Sequence, residues 1–410
     1  MPAAVPQLGI VGASRAGFHA ASEARRRGFE GRILVVGEET HGPYDRPPLT
    51  KEIARGDWPG SQASLALRAE LGIEWMLGVP AVGLEVAERT VELADGRRER
   101  CEAGVVIATG ARPRALPGSE GLGGVLTIRT LEDGLALARR LAAGPRRVGV
   151  VGAGFLGAEV AASCRAKGLE VTLIESAPAP LVAALGPELG AATLELHRRH
   201  GVDVRTAVGV AGIEADAERR ARRLLLDDGS AVEVDLVVAA IGVTPCVEWL
   251  RGSGLDLEDG VLCDETCLAA PGVAAAGDVA RWPNRRFGEC RRIEHWDNAI
   301  RQGEHVAARL LAAPGSEEES APYEPIPWFW SDQYGLKLQM VGSARGFDEI
   351  AVVSGSLPGG DLLALYRRGA ELVAACGVSR AREIVRCRRL LEARATWAEA
   401  LAELSAAASG

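Results

Sequence analysis

The sequence predicts an α/β fold, with two Rossmann-like dinucleotide-binding domains and a smaller α+β domain at the C-terminal end. Three observations carry this. A strand–turn–helix–strand plan at residues 8–39 returns at 147–176. Two more apolar strands, within 105–113 and 272–280, end in small residues where parallel strands open onto a ligand crevice. A Pro/Ser/Glu-rich break, "LLAAPGSEEESAPYEP" at 310–325, precedes alternating strands and a final Ala/Glu/Arg-rich helix. With 410 residues, the chain is long enough for two or three domains, each with its own core.

Composition removes several classes. A net charge of −8 argues against nucleic acid as the main partner, because phosphate-binding surfaces need a basic excess. Of 47 basic residues only Lys51, Lys167 and Lys337 are lysines, so each is worth asking about, although genome composition accounts for the bias itself. The eight cysteines are scattered, with no CxxC and no zinc-ligand spacing, as in a reduced cytoplasmic chain with buried thiols and no metal. The start, "MPAAVPQLGIVGAS", lacks a charged head before an apolar stretch, so no signal peptide is expected. No membrane span is expected either, since the stretch around "VVAAIGV" is too short and follows Asp235.

The first unit reads "LGIVGASRAGFHAASEARRRGFEGRILVVGEE". Gly12 and Gly17 keep two positions of a GxGxxG turn, while Ser14 takes the middle one, small enough for close approach but with less dihedral freedom. Glu38, or Glu39 beside it, stands where an acid meets a ribose. The loop "GPYDRPPLTK" at 42–51 follows; by itself it is a stiff, charged turn. "VVIATGARP" is a buried strand running into Thr109 and Gly110.

The second unit, "RVGVVGAGFLGAEVAASCRAKGLEVTLIES", has the full motif. Gly152 makes the tight turn, Gly154 lets backbone N–H groups approach a pyrophosphate, and Gly157 lets the helix pack against the strand. The helix N-terminus favours the phosphates. Glu175 ends the next strand, where a carboxylate accepts from a ribose 2′-hydroxyl and repels a 2′-phosphate; NADH is therefore favoured over NADPH. Further on, "GVAAAGDVA" ends in Gly277 and Asp278. Asp278 either accepts from ribityl or ribose hydroxyls or caps a helix. Two dinucleotide units imply two nicotinamide sites or one flavin and one nicotinamide, and hydride transfer needs the latter.

The stretches "VGASRAG", "PYDRPPLTK", "ATGARPR", "VGAGFLGAEVA", "AIGVTP", "AAGDVA", "EHWDNAIRQG" and "WFWSDQYGLKLQ" stand in the order found in FAD-dependent NADH:ferredoxin reductases, the reductase components that serve cytochromes P450 and ring-hydroxylating dioxygenases. The chain resembles that family over essentially its whole length, with "PYDRPPLTK" and "EHWDNA" the most specific stretches. It departs at Ser14, at Thr50 where Ser is usual, and at Cys246 where Asn is common; none of these removes a group with an obvious chemical role.

The resemblance implies a glutathione-reductase-like arrangement: a discontinuous FAD domain (1–113 and 246–322), an NAD domain (114–245) and a C-terminal interface domain (323–410), in a monomer or weak homodimer. It implies that the 42–51 loop wraps the flavin, with Pro47 and Pro48 as a rigid wall, Arg46 as a clamp for FAD oxygens, and Lys51 near the flavin ring, where positive charge favours reduction. A buried ammonium needs a partner. Glu159, two residues past the second glycine motif, is the candidate, in an ion pair spanning the FAD and NAD domains.

Further FAD contacts implied are Gly12, Ser14, Ala16, Gly17, Glu38, Val82, Ala108, Thr109, Gly110, Arg129, Gly277, Asp278, His295 and Trp296. Trp330 stands at the flavin edge, while two of Trp328, Phe329 and Trp330 are read as core. On the NADH side, Phe155, Leu156, Ile241 and Gly242 join the glycines and Glu175.

The implied activity takes hydride from NADH onto FAD and passes electrons singly to a 2Fe–2S or related ferredoxin, which feeds a P450 or dioxygenase. Arg281, Arg285, Arg286, Arg291 and Arg292 form either a docking rim for an acidic ferredoxin or a solvated loop paired within the chain. A thiol-based flavin reductase is disfavoured: no cysteine precedes Cys101, and Lys51 occupies the place of the redox-active thiol. The remaining alternative is an NADH-binding flavoprotein sensor or NADH oxidase with little ferredoxin turnover.

Overall fold

The computed structural model describes residues 5–408. The first four residues of the stretch read for a leader, and the last two of the C-terminal domain, lie outside the described residues. The chain forms two compact units: Met1–Asp45, Ser64–Arg112 and Thr244–Pro327 in one, and Arg46–Ala63, Pro113–Val243 and Trp328–Gly410 in the other.

The first unit is built on a six-stranded sheet in the order Leu268–Ala270, Val273–Ala275, Gly104–Ile107, Gln7–Val11, Arg32–Gly37, Ile73–Leu77. All neighbours are parallel except the first pair. Ile10 lies opposite both Val35 and Val106, and every residue of Gln7–Val11 is buried, as expected of a strand covered on both faces. The strand Val273–Ala275 returns from far along the chain to pair with Gly104–Ile107, which makes the unit discontinuous. The helices Arg15–Arg26 and Trp296–Leu311 pack closely because Gly303 carries no side chain: a Cβ there would lie 2.4 Å from the Ala16 carbonyl oxygen.

The second unit contains a parallel sheet in the order Asp203–Thr206, Glu170–Glu175, Arg147–Val151, Leu236–Ala239, Val125–Leu126. It also holds an antiparallel C-terminal sheet: Trp328–Gln333, Leu336–Gly342, Glu371–Val378, Asp361–Arg368, Glu349–Ser356. The hairpin joining its first two strands turns on Tyr334 (φ 53°) and Gly335 (φ 78°), a two-residue turn with both residues left-handed. That turn sets Asp332 directly opposite Lys337.

Residues 46–63 pack with the second unit. The 3-10 turn Pro47–Thr50 brings Leu49 onto Gly134 of the helix Leu131–Ala142, where a Cβ would meet Leu49 Cδ2 at 2.8 Å. The Ser163 hydroxyl, on the helix Phe155–Ala166, donates to the Thr50 carbonyl at 2.7 Å. Among the described residues, no helix is long and apolar enough to cross a membrane, and no group of three or more His, Cys, Asp or Glu is placed to hold a metal.

Candidate functional site

Both glycine turns have the same shape. A Cβ on Gly12 (φ 123°) would lie 2.1 Å from the Ala108 carbonyl oxygen, and one on Gly152 (φ 95°) would lie 2.3 Å from that of Ala240. The last glycine of each motif is as tight: a Cβ on Gly17 or Gly157 would meet the carbonyl oxygen of Gly12 or Gly152 at 1.9 Å. The middle positions differ from these, with Ser14 at φ −100° and Gly154 at φ −70°, both extended conformations open to any residue. The dihedral freedom of glycine is therefore not needed there, which is why serine stands at position 14. Neither helix has a side-chain cap or an acid in its first turn. Their leading N–H groups and positive dipole ends suit an anionic pyrophosphate, so the residues present fit a dinucleotide at each turn.

In the first unit, the Gly12 turn is flanked by the buried Ala16 and Ala108. Thr109 donates its hydroxyl to the Cys246 carbonyl at 2.8 Å and Gly110 turns at φ 69°. The Gly277 N–H donates to Gln302 Oε1 at 2.9 Å, and Asp278 follows in the 3-10 turn Gly277–Val279. Glu38 is exposed just past its strand, whereas Glu39 accepts from the Tyr44 hydroxyl. Val82 is 53% exposed on a small antiparallel sheet. His295 precedes the helix Trp296–Leu311, and burial, aided by Arg291, pushes its imidazole down to about 4.

The sequence reading missed one cluster in this unit. Asp45 pairs with Arg15 and accepts from Trp296 Nε1 at 2.7 Å, and the Arg15 guanidinium lies 4.3 Å from the Trp296 ring centroid. Arg15 and Asp45 both fall inside quoted motifs, but no spacing rule joins them.

In the second unit, Lys51 Nζ lies 3.2 Å from Glu159 Oε1, with the two side chains 6% and 9% exposed. The pair forms inside one compact unit, because residues 46–63 pack with the second unit. Glu159 also accepts from Thr50 Oγ1 at 2.7 Å, Ser331 Oγ at 2.9 Å and the Asp332 N–H at 3.1 Å. Burial pushes its carboxyl above the usual range, and Lys51 and these donors pull it back only in part.

Asp332 Oδ2 lies 3.1 Å from Lys51 Nζ, and Asp332 Oδ1 lies 3.2 Å from Lys337 Nζ. Burial works to raise the Asp332 carboxyl, but the two ammonium groups outweigh it and leave it below the ordinary value. The Trp330 ring centroid is 5.5 Å from Lys51 Nζ and 5.6 Å from Lys337 Nζ. Arg46 donates to the Arg129 carbonyl, which joins two of the expected FAD contacts, while Pro47 opens the short turn that leads to Lys51.

Around the second glycine turn, Leu156 is 40% exposed and Phe155 packs edge-on against Phe329 at 4.6 Å. Ile241 is half-buried and Gly242 turns at φ 93°. Glu175 accepts from the Ala153 N–H at 2.7 Å and the Ala177 N–H at 2.8 Å, so the acid at the strand end also braces the glycine turn. Two of the three aromatics at 328–330 were expected in the core, but all three are half-buried. Trp328 and Trp330 lean on each other at 5.2 Å, while Phe329 packs against the core of the C-terminal sheet.

The arginines between 281 and 292 engage the chain itself. Arg285 pairs with Glu265, Arg291 with Glu289 at 2.9 Å, Arg292 with Asp259 and Glu294, and Arg281 donates to the Glu258 carbonyl. The thiols take no part in the site. Cys101, Cys164, Cys263, Cys267, Cys376 and Cys387 are buried, and burial pushes Cys101 up to about 11 and Cys164 up to about 12.

Residues 6–303 match the family described as pyridine nucleotide-disulphide oxidoreductase, and residues 328–407 match the one described as reductase C-terminal. The ferredoxin reductase component of a chlorobenzene dioxygenase from Cupriavidus sp. (strain PS12) is 38% identical, across 95% of this chain and 93% of the relative. A putidaredoxin reductase from Pseudomonas putida is 35% identical, across 93% of this chain and 90% of the relative. Among solved structures, the covalent putidaredoxin reductase–putidaredoxin complex superimposes with a TM-score of 0.88 at 33% identity, covering 95% of this chain and 93% of that one. The ferredoxin reductase for the CYP199A2 system of Rhodopseudomonas palustris also gives 0.88, at 35% identity, with 95% of each chain covered.

Proposed function

The chain belongs to the pyridine nucleotide-disulphide oxidoreductase family, in its ferredoxin reductase branch, and from that premise we propose that it carries electrons from NADH through FAD to a small iron–sulfur ferredoxin. The observation that carries this reading is the pair of glycine turns, each so tight at its first and last glycine that only hydrogen fits. When bound, FAD accepts two electrons together as a hydride and releases them singly, the behaviour that a one-electron iron–sulfur acceptor needs.

The chain supplies alignment and charge. The Gly12–Gly17 turn would hold FAD, with Ala108, Thr109, Gly110, Asp278, His295 and Trp296 of the same unit. The Gly152–Gly157 turn holds NADH, with Phe155, Leu156, Ile241 and Gly242 around it. Glu175 sets the preference for a free ribose 2′-hydroxyl, since a 2′-phosphate would meet its carboxylate. Lys51, held by Glu159, places positive charge where negative charge develops on reduction. No side chain needs to act as acid or base on the nicotinamide, because hydride transfer depends on holding donor and acceptor at reacting distance. The ferredoxin in turn feeds a dioxygenase or P450, as the names of the relatives indicate for them. Eight free cysteines, most of them buried, support a reducing, cytoplasmic home.

The purified protein is expected to be yellow, to bleach anaerobically in stopped flow with NADH faster than with NADPH, and then to reduce a 2Fe–2S ferredoxin encoded by the same organism. A colourless protein that takes up no flavin would end this reading. A flavin that NADH reduces, but that no ferredoxin from the organism reoxidises, would turn it toward a sensor.

A further inference from the structure

We propose that Asp332 is a positioning residue for Lys51, so that a strand of the C-terminal sheet completes the ion pair and the ammonium is held by two carboxylates. The purpose of such a residue rests on the NADH–FAD reading above; its geometry does not. Lys51 Nζ lies 3.2 Å from Glu159 Oε1 and 3.1 Å from Asp332 Oδ2. An ammonium on a four-carbon stem with one partner can pivot about that contact, whereas two partners fix its place.

The same strand also orients Glu159. Gln333 Nε2 donates to Ser331 Oγ at 3.1 Å, so the Ser331 hydrogen is left to point at Glu159 Oε1, 2.9 Å away. The Asp332 N–H donates to that oxygen at 3.1 Å. Three consecutive residues therefore hold both members of the pair.

Composition supports a specific role. Only three of the 47 basic residues are lysines, yet two of them, Lys51 and Lys337, meet on the oxygens of Asp332. A planar guanidinium grips one carboxylate with two parallel bonds, while an ammonium spreads three donors and can be divided between two. Lysine at 51 thus gives two carboxylates one compact charge with a separate donor for each. Lys337, across the hairpin, holds Asp332 in turn. Two cations and two anions make the set neutral, so Asp332 adds an anchor without leaving an uncompensated charge.

The scarcity of lysine also makes the test direct. In FAD-loaded protein labelled with nitrogen-15 at the lysine side chains, only Lys51, Lys167 and Lys337 can give side-chain ammonium signals. Lys51 is expected to exchange its protons slowly relative to the exposed Lys167. Asp332→Asn should speed that exchange and slow NADH reduction of the flavin, each by about tenfold, with the KM for NADH unchanged. Asp332→Glu, which keeps the charge, should recover part of both. Wild-type exchange at Lys51 in Asp332→Asn would overturn the proposal, as would faster exchange with no change in the reduction step. If wild-type flavin is not reduced by NADH, the proposed function falls, and the exchange rates still decide whether Asp332 holds Lys51.

Discussion

The helices Arg15–Arg26 and Phe155–Ala166 start from glycine turns of nearly the same shape, yet they carry opposite charges near their starts, Arg15 on one and Glu159 on the other. Two residues past the last glycine, the first helix has His19 and the second has Glu159; one residue past the middle position, they have Arg15 and Phe155. Each charge is answered from the same short stretch of chain. Asp45 pairs with Arg15 in the first unit, and Lys51 pairs with Glu159 in the second. The backbone of the turn is a generic cradle that tolerates duplication. What separates the two copies is the set of charges that the 42–51 loop delivers to them.

The largest test of this comparison lies in the shared backbone. Gly17→Ala and Gly157→Ala each put a methyl group 1.9 Å from a carbonyl oxygen. Both should lose more than about 3 kcal/mol in chemical denaturation, since the helix must lift off its strand. A benign result at either position would break the equivalence of the two cradles.

The next effect separates the copies. Glu159→Ala strands Lys51, 6% exposed, with a single carboxylate, and should cost about 3 kcal/mol. Asp45→Ala removes a partner that is 31% exposed and should cost about 1 kcal/mol. Equal losses would mean that the two ion pairs do the same work.

Acid should act on both units, since His295 in the first is pushed down to about 4 just as His197 is in the second. His197 is fully buried against the Tyr334 hydroxyl at 2.6 Å, and burial, aided by His200, pushes it down to about 4. The unfolded chain, near the ordinary 6.5, binds the proton more readily. The contribution of His197 is therefore intact above pH 6.5 and is lost as pH falls toward 4, about 3 kcal/mol in all at most. His197→Asn should flatten that part of the stability–pH curve.

The smallest effect is the most diagnostic. Gly154 sits at φ −70° with nothing within 4 Å of an added Cβ, so Gly154→Ser, which copies the first turn, should change stability by less than about 0.5 kcal/mol. Its consequence should appear as a raised KM for NADH.

How far the site could be read from sequence follows from which contacts are local. The two sheets, the glycine turns and Glu175 are legible because strand periodicity and motif spacing act within about 30 residues. The Lys51–Glu159 pair was legible only through resemblance, since 107 residues separate its members. Asp332 and Lys337 were missed although a signal was present: "SDQYGLKLQ" holds a two-residue Tyr-Gly turn, and that turn alone sets 332 against 337. The Arg15, Asp45 and Trp296 cluster had no such signal, because three separate segments meet there.

Cys290, on the hairpin formed by Ala280–Asn284 and Glu289–Arg291, is the one exposed cysteine among the described residues, while six of the others are shut away. A maleimide dye should therefore find one principal address on the native protein, beside the arginine-rich stretch. A reporter placed there would register a visiting protein by its change in brightness without any mutation having been made.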